Sequence, residues 1–334
     1  MRTVVGVDLG GTNVRAQVLD EAGNPQGERQ EIPSRAQEGT EAIIEALNEV
    51  IEQAINDTDT TPERVGLAIP GFVDDVSGMV FWAPNFGHYE GSVFKYWKDV
   101  PVGAMLRERL SIPVCMGNDA NLAALGEYRF GSGENRAKCL VMLTLGTGVG
   151  GGIVMGPGSV QGDARGPIVL LGGNKGGAEC GHLSLNPSGL DCPAGSYGSL
   201  EAYCQRDSII RRAQHRLNRG RDSVLHQLTG GDLNLVSPSL ISKACEAGDE
   251  LAIEVFEEVG TFLGQGIGSF INIFAPDVVA VGGQIAKAGE FILGPARRAA
   301  RNVAIPNLFD FATIVQAKEI DDAGILGAAA LALI

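Results

Sequence analysis

Asp8 closes a run of branched apolar residues and is followed by Leu9-Gly10-Gly11-Thr12. A carboxylate there, beside two glycines that bare backbone N–H groups and a threonine hydroxyl, can hold a hydrated Mg²⁺ next to a phosphate. The same residues also suit a plain hairpin turn. A second glycine-rich stretch, Thr144-Leu145-Gly146-Thr147-Gly148-Val149, stands between two apolar runs, and Val141 to Thr144 aligns with Val5 to Asp8. Two similar hairpins read as an internal duplication, although two glycine-rich hairpins can resemble one another by chance. A third glycine pair, Gly282-Gly283, follows another apolar run and offers a further place for a nucleotide to lie close to backbone. Asp119 follows Asn118 after a short strand and opens a helix, so it is either a general base in the same cleft or the helix cap. Glu179 and His182 flank Cys180-Gly181, and Glu201 follows a glycine-containing turn. These are ordinary surface residues or, together, hydrogen-bonding partners of one small polyol. Loops for phosphates, a metal-associated carboxylate and a base are the requirements of phosphoryl transfer.

The elements that must position these groups can be read from apolar spacing. Residues 4 to 19 form a hairpin, 27 to 33 a third strand, 40 to 56 a helix with Ile43, Ile44, Leu47, Val50, Ile51 and Ala54 on one face, and 65 to 69 a buried strand. Residues 79 to 100 hold much of the aromatic material around Pro84-Asn85 and read as a structured loop. Beyond them the pattern predicts a helix over 101–110, a strand over 113–116 and a helix over 118–130. Strands over 139–145 and 149–155 follow, then helices over 199–213, 239–247 and 249–274. A strand over 277–281 leads into the glycine pair and a helix. The chain closes with a helix over 290–302, a strand over 312–316 and a small-residue helix over 323–334, which should pack back on the N-terminal part. Strands alternating with helices indicate an α/β protein with mixed sheets.

At 334 residues the chain is long enough for two domains. Its formal charge of −14 argues against a nucleic-acid partner. No leader or membrane anchor is expected, because a strand begins at once and the apolar region 259–281 is broken by Gln265, Asn272, Pro276 and Asp277. Six scattered cysteines favour reduced thiols and a cytoplasmic protein. Glycine is the compositional outlier, 47 residues, about twice the usual share.

Taken in order, Asp8-Leu9-Gly10-Gly11-Thr12, Asn118-Asp119-Ala120-Asn121, Leu145-Gly146-Thr147-Gly148-Val149-Gly150-Gly151-Gly152, Glu179-Cys180-Gly181-His182, Gly282-Gly283 and Asp321-Asp322-Ala323-Gly324 resemble the ROK family of sugar kinases, its glucokinases especially. The resemblance runs essentially from end to end. It implies an actin-like, ribonuclease-H-like ATPase fold of two domains with a cleft between them. The expected division is 1–117 plus 318–334 for the smaller and 118–317 for the larger. It further implies ATP- and Mg²⁺-dependent transfer of a phosphoryl group to the 6-hydroxyl of a hexose, glucose first, with fructose, mannose or an N-acetylhexosamine as alternatives. Asp119 would be the base. Asn85, Asn118, Glu179, His182 and Glu201 would hold the sugar. Asp8 would serve Mg²⁺, through water, and Gly10, Gly11, Thr12, Gly146, Thr147, Gly148, Gly282 and Gly283 the nucleotide. A homo-oligomer, a dimer, is expected.

The family also contains sugar-responsive repressors, which carry a DNA-binding segment ahead of the first hairpin; here only Met1 and Arg2 precede Thr3. A non-catalytic actin-like ATPase would not need the Glu179, His182 and Glu201 set. Many members hold a structural zinc through a histidine and three cysteines in a Cys-x-Cys-Gly-x-x-Gly-Cys pattern. The corresponding stretch is Cys192-Pro193-Ala194-Gly195-Ser196-Tyr197-Gly198-Ser199, which keeps one cysteine, with Cys180 and Cys204 the nearest other thiols. A structural zinc takes four ligands, so none is expected. Residues 87–95 and 163–176 look longer than in the usual glucokinases, and the sugar preference turns on them.

Overall fold

The computed structural model describes residues 2–161 and 166–334. Residues 163–165, the start of the second long loop, lie outside the described residues. Two five-stranded sheets carry the fold. The first is built from β1 (Thr3–Leu9), β2 (Asn13–Asp20), β3 (Gln30–Pro33), β4 (Val65–Ile69) and β8 (Val114–Asn118), in the order β3-β2-β1-β4-β8. β1 is nearly continuous apolar sequence because it lies at the centre with both faces covered, antiparallel to β2 and parallel to β4. The 27–33 strand is thus shorter than its sequence suggests. α1 (Thr40–Asn56) buries Ile43, Ile44, Leu47, Val50 and Ile51 against this sheet, with the bounds its periodicity predicts.

The 79–100 segment is a correction to the sequence reading. It is an antiparallel hairpin, β6 (Met79–Glu90) and β7 (Val93–Val100), which with β5 (Phe72–Asp74) makes a separate three-stranded sheet. A register shift between Ala83 and Gly87 breaks the strand alternation around Pro84-Asn85 and makes the sequence look like a loop. α2 (Val102–Arg107) leads back to β8, and α3 (Asp119–Arg129) leaves it.

The second sheet, β11-β10-β9-β12-β13, combines β9 (Cys139–Leu145), β10 (Val149–Met155), β11 (Ile168–Val169), β12 (Val278–Gly282) and β13 (Thr313–Gln316). The helices that cover it come mainly from the stretch between β11 and β12. The expected 199–213 helix is two, α4 (Leu200–Cys204) and α5 (Arg206–Asn218), separated by Gln205 in extended backbone. α6 (Leu225–Leu228), α7 (Pro238–Glu246) and the 25-residue α8 (Glu250–Phe274) follow. The glycine pair after β12 leads into a 3₁₀ turn, Gln284–Ala288, rather than directly into a helix, and α9 (Glu290–Val303) and α10 (Pro306–Phe311) come next. Gly260, Gly264 and Gly268 line one face of α8, where any side chain would strike Ile292, Ala296 or Ala300 of α9, so the two helices cross in close contact.

The last element, α11 (Ala323–Ala332), packs on β1 and β4 of the first sheet and against α3, as its small apolar residues require. α3 and α11 fill the space between the sheets, where Leu122, Leu125 and Ala328 meet Leu140, Met142 and Ala280. α8 buries one face in the core, and no helix among the described residues is long and apolar enough to cross a membrane. Two like-ordered mixed sheets with helices between and outside them form an actin-like, ribonuclease-H-like ATPase fold.

Candidate active site

The ends of β1, β4, β8, β9 and β12 converge on one cleft of about 760 Å³. It gathers Asp8, Asn85, Asn118, Asp119, Gly146, Thr147, Gly148, Glu179, His182, Glu201 and Gly283 from segments far apart in the chain. Gly10, Gly11 and Thr12 line an adjoining recess of about 250 Å³ with Asp8 and Arg15. Gly282 does not reach the cleft: it is buried behind the strand end, close to Met142. Gly283 does, in a left-handed conformation (φ 80°), and a side chain there would collide with the Leu145 carbonyl.

Asn118, not Asp119, caps α3. Its Oδ1 accepts a hydrogen bond from Asn121 N (3.0 Å), and its Nδ2 donates to the Gly71 carbonyl (3.0 Å). Both ends of the Asn118 carboxamide are therefore engaged, and Asp119 is released from structural duty. Its Oδ1 accepts from the neighbouring Ala120 N (2.8 Å). Burial at the cleft floor pushes the Asp119 carboxyl above the usual range, opposed by the surrounding N–H groups.

Asp8 lies opposite Arg15 in the β1–β2 register, and Arg15 is paired with Glu31 (2.9 Å). Gly324, from the Asp-Asp-Ala-Gly stretch, leaves the space Asp8 needs, since a Cβ there would stand 2.6 Å from Asp8 Oδ1. Burial first, then the Asp119 charge, raises the Asp8 pKa to about 6, against the lowering influence of Arg15. Among the described residues no hydrogen-bond donor satisfies its carboxylate.

At the other end of the cleft, Glu179 precedes the short 3₁₀ turn Cys180–His182, and its Oε2 stands 3.8 Å from His182 Nε2. Burial raises the Glu179 pKa; His182 opposes this, and the Asp119 and Glu201 charges add to it. Glu201 Oε2 accepts from Val149 N (2.9 Å), which ties α4 to the second glycine turn. Cys192 Sγ lies 3.7 Å from His182 Nδ1 and 3.9 Å from Glu201 Oε1. Those three residues offer ligand atoms within 4.8 Å of one another. They do not complete a four-ligand zinc site. Ala194 has no donor, Ser199 Oγ already accepts from Ala202 N, and Cys180 and Cys204 are buried thiols whose pKa burial pushes to about 12.

Several cleft residues carried no mark in the sequence. Arg15 could have been found from its strand register with Asp8. Phe72 and Trp82, ring centroids 5.3 Å apart, come from the hairpin sheet and form an aromatic wall. Carboxylates, amides, an imidazole and glycine turns lining one cleft suit a hydroxylated small molecule and a phosphorylated one.

The chain is 32% identical over 329 residues to the glucokinase of Thermotoga maritima, covering 98% of this chain and 96% of that protein. A ROK family glucokinase from Streptomyces griseus, solved in complex with glucose and AMPPNP, superposes with a TM-score of 0.79 at 31% identity, covering 98% of both chains. The transcriptional regulator NagC of Escherichia coli is 28% identical over 331 residues, which is 98% of this chain and 74% of that protein. Residues 4–334 match the family model described as ROK family, and the chain belongs to that family.

Proposed function

We propose that this chain is an ATP-dependent hexose kinase that transfers the γ-phosphoryl group to the 6-hydroxyl of glucose. The observation that carries the reading is the division of labour at the head of α3: Asn118 takes the cap, and the Asp119 carboxylate lines the cleft. Asn85, Glu179, His182 and Glu201, which line the cleft, would bind the sugar hydroxyls. Asp119 would take the proton from the attacking hydroxyl, a role its raised pKa favours. The N–H groups of the turns at 10–12 and 146–148 and of Gly283 would face the nucleotide. On this reading the small domain is 1–117 with 318–334 and the large one 118–317.

Asp8 fits a cation: it is a half-buried carboxylate without hydrogen-bond donors among the described residues, in a space kept open by Gly324. Mg²⁺ held there, through water, would neutralise charge on the phosphoryl oxygens. Arg15 would balance Asp8 from the neighbouring strand. The test is ADP formation from ATP with and without each of glucose, mannose, fructose and N-acetylglucosamine. Hexose-dependent turnover that disappears in Asp119→Ala supports the reading, and the best sugar identifies the substrate. ADP formation that ignores every sugar, or an active Asp119→Ala enzyme, overturns it.

A further inference from the structure

A second, larger cavity of about 1100 Å³ lies outside the cleft, between α5, the turn that follows it, one side of α8 and residues 188–191. Arg211, Arg212, His215, Arg216, Arg219 and Arg221 line it, faced among the described lining residues by two carboxylates, Asp191 and Glu258. This concentration of positive charge stands in a chain whose formal charge is −14. Part of it is structural. Arg212 and Arg216 grip Glu258 (2.8 and 2.7 Å), Arg212 also donates to the Tyr203 carbonyl (2.8 Å), and Arg221 makes two bonds to Glu254.

The remainder is not accounted for by folding. Arg211 makes one bond, to Ser208 Oγ (3.0 Å), and Arg219 and His215 have no carboxylate partner among the described residues. Arg212 and Arg216 are four apart, and Arg216 and Arg219 three apart, on one helix and its cap, where like charges repel. An anion in the cavity would relieve that repulsion. Arginine forks match phosphate oxygens, and Tyr203 stacked on Phe262 (centroids 4.1 Å) gives an apolar floor for the body that bears the phosphate.

We propose that this cavity binds a small organic phosphate through its monoester dianion, with Arg211, Arg219 and His215 as the groups that recognise it. The inference is independent of the kinase reading. Its walls belong to working segments all the same: residues 188–191 run directly into Cys192, and Tyr203 shares α4 with Glu201.

The full-length protein is titrated at low salt by calorimetry with glucose 6-phosphate, AMP and inorganic phosphate, while the ring resonances of His215 are followed by NMR. The wild type is expected to bind at least one probe in a site that shifts His215. An Arg211→Gln/Arg219→Gln variant, altered only at exposed positions, should fold to an equal melting temperature and weaken that site about tenfold or more. Glu179→Gln, in the cleft, should leave it intact. The strongest probe separates a sugar phosphate from a nucleotide and from the bare ion. Equal binding of all three probes by wild type and double variant, or His215 resonances that stay still at saturation, overturns the proposal.

Discussion

The hairpins β1–β2 and β9–β10 are the same device carrying different side chains. Each heads a five-stranded sheet of the same order, with an antiparallel flank on one side and two parallel strands on the other. Asp8 and Thr144 occupy equivalent places, one residue before the paired Leu9 and Leu145. The first hairpin sets a charged pair across its strands, Asp8 opposite Arg15, and closes its turn with Gly10 N to Asn13 O. The second sets Thr144 opposite Gly150, closes its turn with Gly146 N to Gly148 O, and is one residue tighter. The frame is therefore duplicated while the charge is not. Glycines of the second hairpin are also divided in purpose. Gly146 opens to the cleft, whereas a side chain at Gly152 would lie 2.5 Å from Ala124 Cβ, so Gly152 serves the packing of α3 on β10.

If the two hairpins are supports and Asp119 is the group at which they act, Asp119→Asn should cost the most, roughly 10²- to 10⁴-fold in kcat, with hexose binding retained by calorimetry. The same variant should melt higher. Asp119 has a folded pKa raised by burial, so the native state binds its proton more tightly than the unfolded chain. The charged form then costs stability at every pH above that pKa, and the cost is relieved only as pH falls through it. In the wild type, the acidic limb of kcat/KM should lie above the range of an ordinary aspartate. A lower melting temperature for Asp119→Asn would mean that its carboxylate is structural.

Asp8→Asn and Thr144→Val test the comparison itself. Asp8→Asn should lower kcat/KM for Mg-ATP about tenfold or more, and Thr144→Val clearly less. Equal losses would erase the distinction between a charged and an uncharged hairpin. Next in size is Gly148→Ala. A Cβ there would stand 2.5 Å from Glu201 Oε2, so the carboxylate must move. The hexose KM should rise up to about tenfold with a smaller change in kcat. An unchanged KM would remove Glu201 from the sugar site. Zinc is expected at well under one atom per chain by elemental analysis of protein purified without chelator. One atom per chain would make His182, Cys192 and Glu201 its ligands.

Much of this arrangement was legible in the sequence where one element alone decides. The 40–56 helix and the 65–69, 139–145 and 149–155 strands have the bounds their apolar spacing predicts. What escaped depends on tertiary context. The β6–β7 hairpin hid behind its register shift at Pro84-Asn85, and with it the Trp82 wall. The break at Gln205 carries no proline or glycine; it comes from the need to keep Glu201 on Val149 N while Arg206 N bonds the Gly146 carbonyl. Asp119 was legible as base or cap, and the geometry gives the cap to Asn118. The arginines of α5 carried no mark in the sequence, and the fold brings residues 188–191 and Phe262 to the same cavity.

The smallest effect is expected where the halves touch away from both hairpins. Lys175 Nζ, from the segment before Glu179, reaches Asp75 (2.8 Å) and Asp74 (3.5 Å) at the end of β5, while Gly176 lies against the Phe72 ring. The Lys175 and Asp75 side chains are 28% and 42% exposed, so water screens the pair. Such a contact is worth about 0–1 kcal/mol. Lys175→Ala should therefore shift the hexose KM by no more than about threefold, and the shift should vanish at high ionic strength. Its salt dependence is the useful part of the measurement. A large loss that persists in high salt would mean that this bridge, and not the duplicated hairpins, sets the geometry at Asp119.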